Sequence, residues 1–356
     1  MDATTSAPLI AAGRGPPAPP SPGLKVLQDA GIFLQTYFGG AMLLLGVVGN
    51  LLSIAVFMRK KMRAQGVTIF LQALGWVDLL FLVLGQGLSA WPDTVFDMRF
   101  IDHSRAACKI YYLVIPVLRQ CSAWLIMGFS VERCMAIARP LQFRSIEETK
   151  KRRAILAYIA TIFVASTLYN IHGPLLFDLI PSRSAFECDP LTDQSPVFIT
   201  YVRPWVSTVL VTLIPFAVIL GCNVIILREI RRSQKFRDKA PDDHTAMALM
   251  LLTVSFLFLV LSLPISLAMF LTRVYPPAFW YGSADARAKS DFMWKFSLFC
   301  LYLNSAVNFV CYVMNGRVFR AELRAMASVI CPCLKKETDA PRSSSSSKQT
   351  ENTNVV

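Results

Sequence analysis

Four ionisable side chains stand inside stretches that are otherwise long and apolar: Asp78, Arg119 and the adjacent pair Glu132 and Arg133. At the centre of a membrane-spanning helix an ionised group costs about 2.5–3.5 kcal/mol on insertion scales, so each of them needs a partner or a task. A carboxylate in such a place either joins hydrogen-bond donors on neighbouring helices, taking up a proton if it must, or acts on something brought to it. A buried guanidinium wants an anion or several acceptors. Glu132 and Arg133 can neutralise each other locally. The chemistry on offer is recognition. The sequence carries no HExxH, GxSxG, P-loop or paired-carboxylate motif, so an enzyme is not expected.

The elements that must position these residues are helices in lipid. The chain has 356 residues, of which 54% are hydrophobic and 17% charged, with a mean hydropathy of +0.48. That composition excludes disorder as the main state. The apolar residues fall in blocks rather than in amphipathic stripes, and a spanning helix needs roughly 20 mostly apolar residues. Such blocks run over about Gly31–Met58, Val67–Ala90, Ala106–Ala138, Ala154–Phe177, Tyr201–Leu227, Ala246–Thr272 and Phe292–Met314. The expected fold is an all-α membrane protein, a seven-transmembrane helix bundle over 31–315. A disordered outer tail is expected over 1–30, a short amphipathic helix over 316–330 and a disordered cytoplasmic tail over 331–356.

The net charge of +13 would raise the question of nucleic acid in a soluble protein, but here its placement has another meaning. Arg59, Lys60, Lys61 and Arg63 follow the first block, and Arg139, Arg144, Lys150, Lys151, Arg152 and Arg153 follow the third. Arg228, Arg231, Arg232, Lys235, Arg237 and Lys239 follow the fifth. The loops after the second and fourth are acidic instead, with Asp93, Asp97 and Asp102, then Asp178, Glu187, Asp189 and Asp193. Positive-inside logic puts the amino terminus outside and the carboxyl terminus in the cytoplasm of a multi-pass protein of the plasma membrane. With no zinc-spaced Cys/His set and no ladder of aromatics and arginines, nucleic acid is not an expected partner.

Of nine cysteines, Cys108 and Cys188 are the two that this topology leaves on the oxidising side, where they are expected to bridge; two free outer thiols are the alternative. No N-x-S/T sequon falls in the outer tail or loops. After the last block, Phe319, Leu323, Met326 and Ile330 share one helical face suited to the inner leaflet. Cys331 and Cys333, which follow, are candidate palmitoylation sites. Ser343–Ser347 is either a phosphorylation cluster or a solvated linker.

Over about Gly31–Val329 the sequence resembles the rhodopsin-like (class A) G-protein-coupled receptors. The resemblance rests on an ordered set: Gly49-Asn50, Leu74 and Asp78, Cys108, Glu132-Arg133, Pro215, Pro264 and Asn308-Phe309-Val310-Cys311-Tyr312, then Gly316-Arg317-Val318-Phe319-Arg320. The sequence also departs from the family pattern, with Glu132 for the aspartate of D-R-Y and Leu261 for the cysteine of F-x-x-C-W-x-P. Cys134 replaces the tyrosine of D-R-Y, Phe309 replaces the proline of N-P-x-x-Y, and Ser262 stands where helix six has its tryptophan. Asn223 stands where helix five commonly has a tyrosine, and helix four has no tryptophan.

The resemblance implies roles residue by residue. Asp78 with Ser122, Asn304, Ser305 and Asn308 matches the family's sodium site, and oxygen ligands suit such a hard cation; a plain hydrogen-bond network around a protonated Asp78 is the alternative. Arg133, resting on Glu132, is implied to turn toward a heterotrimeric G protein on activation, with Tyr312 in the switch and Leu141 as the hydrophobic docking residue of the second inner loop. His244 stands where many members carry an acid that locks the arginine, which implies appreciable basal activity. Arrestin and receptor kinases are implied partners of the tail, and membrane lipid surrounds the whole.

Arg119 lies fourteen residues before Arg133, roughly 21 Å at about 1.5 Å per residue, which puts it at the floor of the family's ligand cavity. It receives either an anionic or carbonyl group of the ligand, or internal acceptors such as Gln86, Tyr302 and backbone carbonyls. The rest of the expected cavity comprises Tyr111, Tyr112, Ile115, Trp205, Phe270, Trp294, Leu298 and Tyr302, with Arg203, Arg273 and Asp291 at the rim. Ile115, where amine receptors carry aspartate, speaks against a biogenic amine, and Tyr302, where visual pigments carry lysine, speaks against retinal. The outer charges and aromatic interior resemble the neuropeptide branch, and Leu303–Phe309 is similar to receptors for RFamide-type ligands. A lipid or small carboxylate anchored by Arg119 is the second expectation. A seven-helix transporter is a third, though no inverted repeat is found.

Overall fold

The computed structural model describes residues 21–63, 65–181, 186–191, 202–234 and 243–330. Among them, six helices are long and apolar enough to cross a bilayer: α1 (Pro22–Phe57), α2 (Val67–Phe96), α3 (Arg105–Ala138), α4 (Glu148–Leu176), α5 (Trp205–Arg232) and α6 (Ala248–Thr272). A seventh span, α7, is made of Ala284–Ala306 and Asn308–Asn315, bent by 46° between the two. Helix α8 (Arg317–Ile330) follows. In lipid the backbone must satisfy its own hydrogen bonds, which leaves apolar blocks of this length only the helix.

One boundary departs from the sequence reading. Helix α1 begins at Pro22 rather than near Gly31, so 22–30 is helix and not tail. Proline at the first helical position gives up an N–H that would be orphaned anyway. The N–H of Ser21 donates to Asp285 Oδ1 at 2.9 Å, tying this turn to the start of α7. Leu24, Leu27 and Gln28 lie partly buried on one helical face that continues to buried Gly31. That stripe is two turns long, too short to stand out from the Pro/Ala/Gly-rich sequence before it. Residues 1–20 and the tail 331–356, with Cys331, Cys333 and Ser343–Ser347, lie outside the described residues.

The core runs down the bundle axis through α2 and α3, whose Leu71, Leu74, Leu82, Leu125, Ile126 and Phe129 are almost fully buried. Helices approach most closely at small residues. A Cβ on Gly49 would sit 2.8 Å from Phe309 Cβ, and one on Gly46 would sit 2.6 Å from Leu82 and 2.9 Å from Ala306 Cβ. The bend in α7 therefore forms without the family's proline, with Phe309 lying directly against the bare backbone of Gly49. Asn50 Nδ2 fastens the same place by donating to the carbonyls of Gly46 and Ser305, each at 2.9 Å.

Helix α8 turns away under the bundle. Phe319 is buried at 1% exposure among Phe57, Phe309 and Tyr312, with ring centroids 5.4, 6.1 and 5.5 Å away. Arg320 Nη1 donates to the carbonyls of Val313 and Met314, which the end of α7 leaves without helical donors. Arg59 and Glu322 form an ion pair from the end of α1 to α8. Leu323 and Met326 pack on the core beside Phe319, as their spacing predicts.

The described part of the segment after α4 is not irregular. It forms an antiparallel hairpin, β1 (Phe177–Pro181) with β2 (Phe186–Pro190), in a register that sets Leu179 opposite Cys188. Within α2, the backbone widens to π-type bonding over Leu82–Ala90. Gln86 sits in this segment and is fully buried.

Candidate functional site

The centre of the bundle is built on Asp78. Its Oδ1 accepts from Ser122 Oγ at 3.1 Å and Ser305 Oγ at 2.9 Å, and its Oδ2 accepts from Asn308 Nδ2 at 2.7 Å. One carboxyl thus joins α2, α3 and α7. Asp78 is 1% exposed and its three donors are buried with it. Asn304, expected in the same set, is buried one turn from Asn308, but among the described residues it makes no hydrogen bond to Asp78. The donor set is oxygen and amide only.

Toward the basic end of the bundle, Arg133 holds Glu132 with two bonds, Nε to Oε2 at 2.6 Å and Nη2 to Oε1 at 3.0 Å, and both residues are buried. Tyr312 is buried edge-on to Phe57, 5.2 Å between centroids. Cys134, where the family has tyrosine, packs against a cluster of Ile226, Ile230 and Ala248 from α5 and α6. Asn223 accepts from Ser255 Oγ at 2.9 Å, so the polar side chain that replaces a tyrosine clasps α5 to α6. Leu141, on the short helix Pro140–Ser145, is 83% exposed, a large apolar side chain with nothing over it. The side chain of His244 lies outside the described set.

The opposite end carries the expected ligand cavity. Cys108 and Cys188 are joined in a disulfide, which ties the hairpin to the top of α3. Asp178 on β1 pairs with Arg105 at 2.8 Å and Lys109 at 3.6 Å. Desolvation opposes the charge of Asp178, but the Leu179 N–H and these two cations outweigh it and hold the carboxyl below the ordinary carboxylate range. The Cys188 N–H donates to Asp102, itself gripped by Arg99. Phe177 at the foot of the hairpin stacks on Tyr112 with ring centroids 3.6 Å apart, and the Arg203 guanidinium lies 5.7 Å from the Phe177 ring.

Beneath this lid sits Arg119. Its Nη1 donates to Met269 Sδ at 3.6 Å, a weak acceptor, and among the described residues it has no ion-pair partner. Arg203 is near enough to repel it, and Tyr169 is near both. The expected internal acceptors make no hydrogen bond to Arg119 among the described residues. Gln86 Nε2 donates to the Gly39 carbonyl at 2.7 Å, while its Oε1 and that of Gln35 are buried without donors. Tyr302 packs on Phe81 and, with Ile115, against Gly85. The reading in which Gln86 and Tyr302 satisfy Arg119 is therefore not what the structure shows.

The remaining positions are spread more widely. Tyr111 contacts Tyr112 and reaches Ser89. Trp205 and Phe270 pair edge-on across α5 and α6 at 5.8 Å, both exposed. Asp291 and Trp294 are half-buried on α7, and Leu298 packs on the core. Arg273 directly follows α6, its side chain outside the described set. Sequence reasoning missed Asn170, whose Nδ2 donates to Gln120 Oε1 at 3.0 Å and so links α4 to α3 one residue from Arg119. Polar Tyr169, Asn170 and His172 at the end of an apolar block were the available signal.

A model of the 7 transmembrane receptor (rhodopsin family) matches residues 49–312. The chain belongs to that family. This rhodopsin-family receptor is 27% identical to the B1 bradykinin receptor of Sus scrofa over 78% of each chain. It is 25% identical to an FMRFamide peptide receptor of Caenorhabditis elegans over 79% of this chain and 66% of that one. It is also 25% identical to the thyrotropin-releasing hormone receptor of Homo sapiens, over 83% and 77%. The residues matched by the family model include Asp78, Glu132-Arg133 and Asn308, so its G-protein-coupled receptor class and its polar centre fall in one alignment.

Removing the Asp78 carboxyl leaves three donors unanswered. At about 0.6 kcal/mol for an average hydrogen bond in a bundle within lipid, Asp78→Ala should cost about 2 kcal/mol and lower the thermal unfolding midpoint of the detergent-solubilised receptor. A midpoint equal to that of the parent would contradict this role for Asp78.

Proposed function

We propose that this receptor binds an extracellular peptide under the β1–β2 lid and passes the event through the Asp78 centre to a heterotrimeric G protein at the Glu132-Arg133 end. The observation that carries the reading is Arg119, a guanidinium inside the bundle whose only hydrogen-bond acceptor among the described residues is a thioether. Such a group attracts a carboxylate or a cluster of carbonyls. The peptide names borne by the relatives favour a peptide as the molecule that supplies it. Two guanidiniums, Arg119 and Arg203, repel a cationic side chain, so a ligand of RFamide type must turn its terminal carbonyl, not its arginine, toward them. The second reading, a lipid or small carboxylate, rests on the same residue.

The charge of the basic loops favours an amino terminus outside and Arg133 at the cytoplasmic face of the plasma membrane. An amino-terminal epitope tag is expected to label on intact cells and a carboxyl-terminal one only after permeabilisation; both tags on one side would overturn the orientation. Asp78 with Ser122, Asn304, Ser305 and Asn308 offers oxygen ligands suited to a sodium ion, which would supply a positive charge there and favour the resting bundle. Arrestin and receptor kinases would meet the tail beyond residue 330.

The test is a panel of peptides, each as free acid and as carboxyl-terminal amide, together with small carboxylates, on cells expressing the receptor and read by calcium and cyclic nucleotide. An active ligand should lose potency 10-fold or more in Arg119→Gln, since a lost charge-assisted hydrogen bond is worth about 1.5–3 kcal/mol. Unchanged potency removes Arg119 from the site. For the same ligand, sodium should weaken binding to the parent and leave Asp78→Asn unaffected; equal sodium sensitivity in both would dismiss the ion.

A further inference from the structure

Away from both ends of the signalling path, the structure holds a cleft of about 330 Å³ between the end of α1, the start of α2 and the first turns of α4. It is amphipathic in a specific way. Its mouth carries Arg63 and Arg152, its floor Thr68 and Gln72, and its wall Met58, Ile69 and Leu156. Met58 and Leu156 are 57% and 54% exposed on the outside of the bundle, where acyl chains run. The polar floor is pinned: Thr68 Oγ1 donates to the Met62 carbonyl at 2.8 Å and Gln72 Nε2 to the Phe57 carbonyl at 2.9 Å.

Arg152 Nη1 donates to the backbone carbonyl of Arg63 at 3.2 Å, which brings the two residues together. Among the described residues neither forms an ion pair. Glu148, the carboxylate one turn earlier on α4, is engaged by Lys151 at 3.6 Å. Lys60 and Lys61 lie just before Arg63 in sequence and add positive charge. Two unpaired guanidiniums over an apolar wall open to lipid match one kind of molecule, which has a phosphate at one end and hydrocarbon at the other.

We propose that this cleft is a binding site for a single anionic phospholipid of the leaflet that the basic loops face. Its phosphate lies between Arg63 and Arg152, and an acyl chain follows Met58, Ile69 and Leu156. The lipid neutralises a charge pair that the protein leaves open and braces α4 against α1 and α2 at that level.

The test titrates the purified full-length receptor in detergent with phosphatidylserine and with phosphatidylcholine of the same chains, counting bound lipids by native mass spectrometry. Phosphatidylserine is expected to bind about 10-fold or more tightly than phosphatidylcholine. The double variant R63Q/R152Q should abolish that preference, and K150Q/R153Q, in the first turns of α4 but not lining the cleft, should keep it. L156W, which fills the apolar half without touching a charge, should also weaken binding, and it decides the matter if R63Q/R152Q unfolds. A preference that survives in both R63Q/R152Q and L156W, or that falls equally in K150Q/R153Q, would overturn the site. So would glycerophosphoserine, which lacks chains, competing as well as the whole lipid.

Discussion

A carboxyl group in the middle of an apolar bundle must be answered by its neighbours, and Asp78 is answered from two other helices at once. Ser122 on α3 and Ser305 and Asn308 on α7 all spend a donor on it. Since α1 is fixed to the same part of α7 by Asn50, the register of four helices is set around one residue. This is a stringent arrangement, because a polar group left over in hydrocarbon costs far more than a well-made bond returns. The 46° break in α7 falls among these partners, so the place where the helix is least continuous is also where its polar contacts are most concentrated.

The ends of the bundle are held by different means. At the hairpin end a disulfide, the two strands and the Asp178 ion pairs fix a lid beside Tyr112 and Arg203. At the other end the local Glu132-Arg133 pair and the Asn223–Ser255 clasp hold α3, α5 and α6 with few and separable contacts. Each can open without unfolding a helix. A receptor needs that asymmetry: a rigid frame to read a ligand and a weakly fastened end to change shape. The residues that depart from the family pattern fall into this scheme. Phe309 fills against Gly49 what proline would have kinked, Asn223 bonds where a tyrosine would reach, and Cys134 packs among isoleucines.

Much of this was legible in the chain. Seven apolar blocks gave seven spans because in lipid length and hydrophobicity leave no other secondary structure, and Asp78 and its serines were legible as polar residues with no other reason to be there. The hairpin was not, since its strands are five residues long and their pairing depends on a tether to Cys108 that sequence order does not display. Helix over 22–30 was hidden because its stability comes from α7 rather than from its own composition. Gln86 was one of the alternative partners for Arg119, but in the widened turn of α2 its amide donates to Gly39. The Arg119–Met269 contact, 150 positions apart, follows from side-chain direction, which periodicity does not carry.

The account stands on a bundle pivoting about the Asp78 centre while the weakly fastened end opens. The direct measurement is the distance distribution between spin labels at Lys61 and at the Ala248 end of α6, in the detergent-solubilised receptor with and without nucleotide-free heterotrimeric G protein. The account predicts that the G protein lengthens this distance and shifts a population already present in the free receptor. One unchanged distribution, with nucleotide exchange on the G protein accelerated all the same, would contradict it.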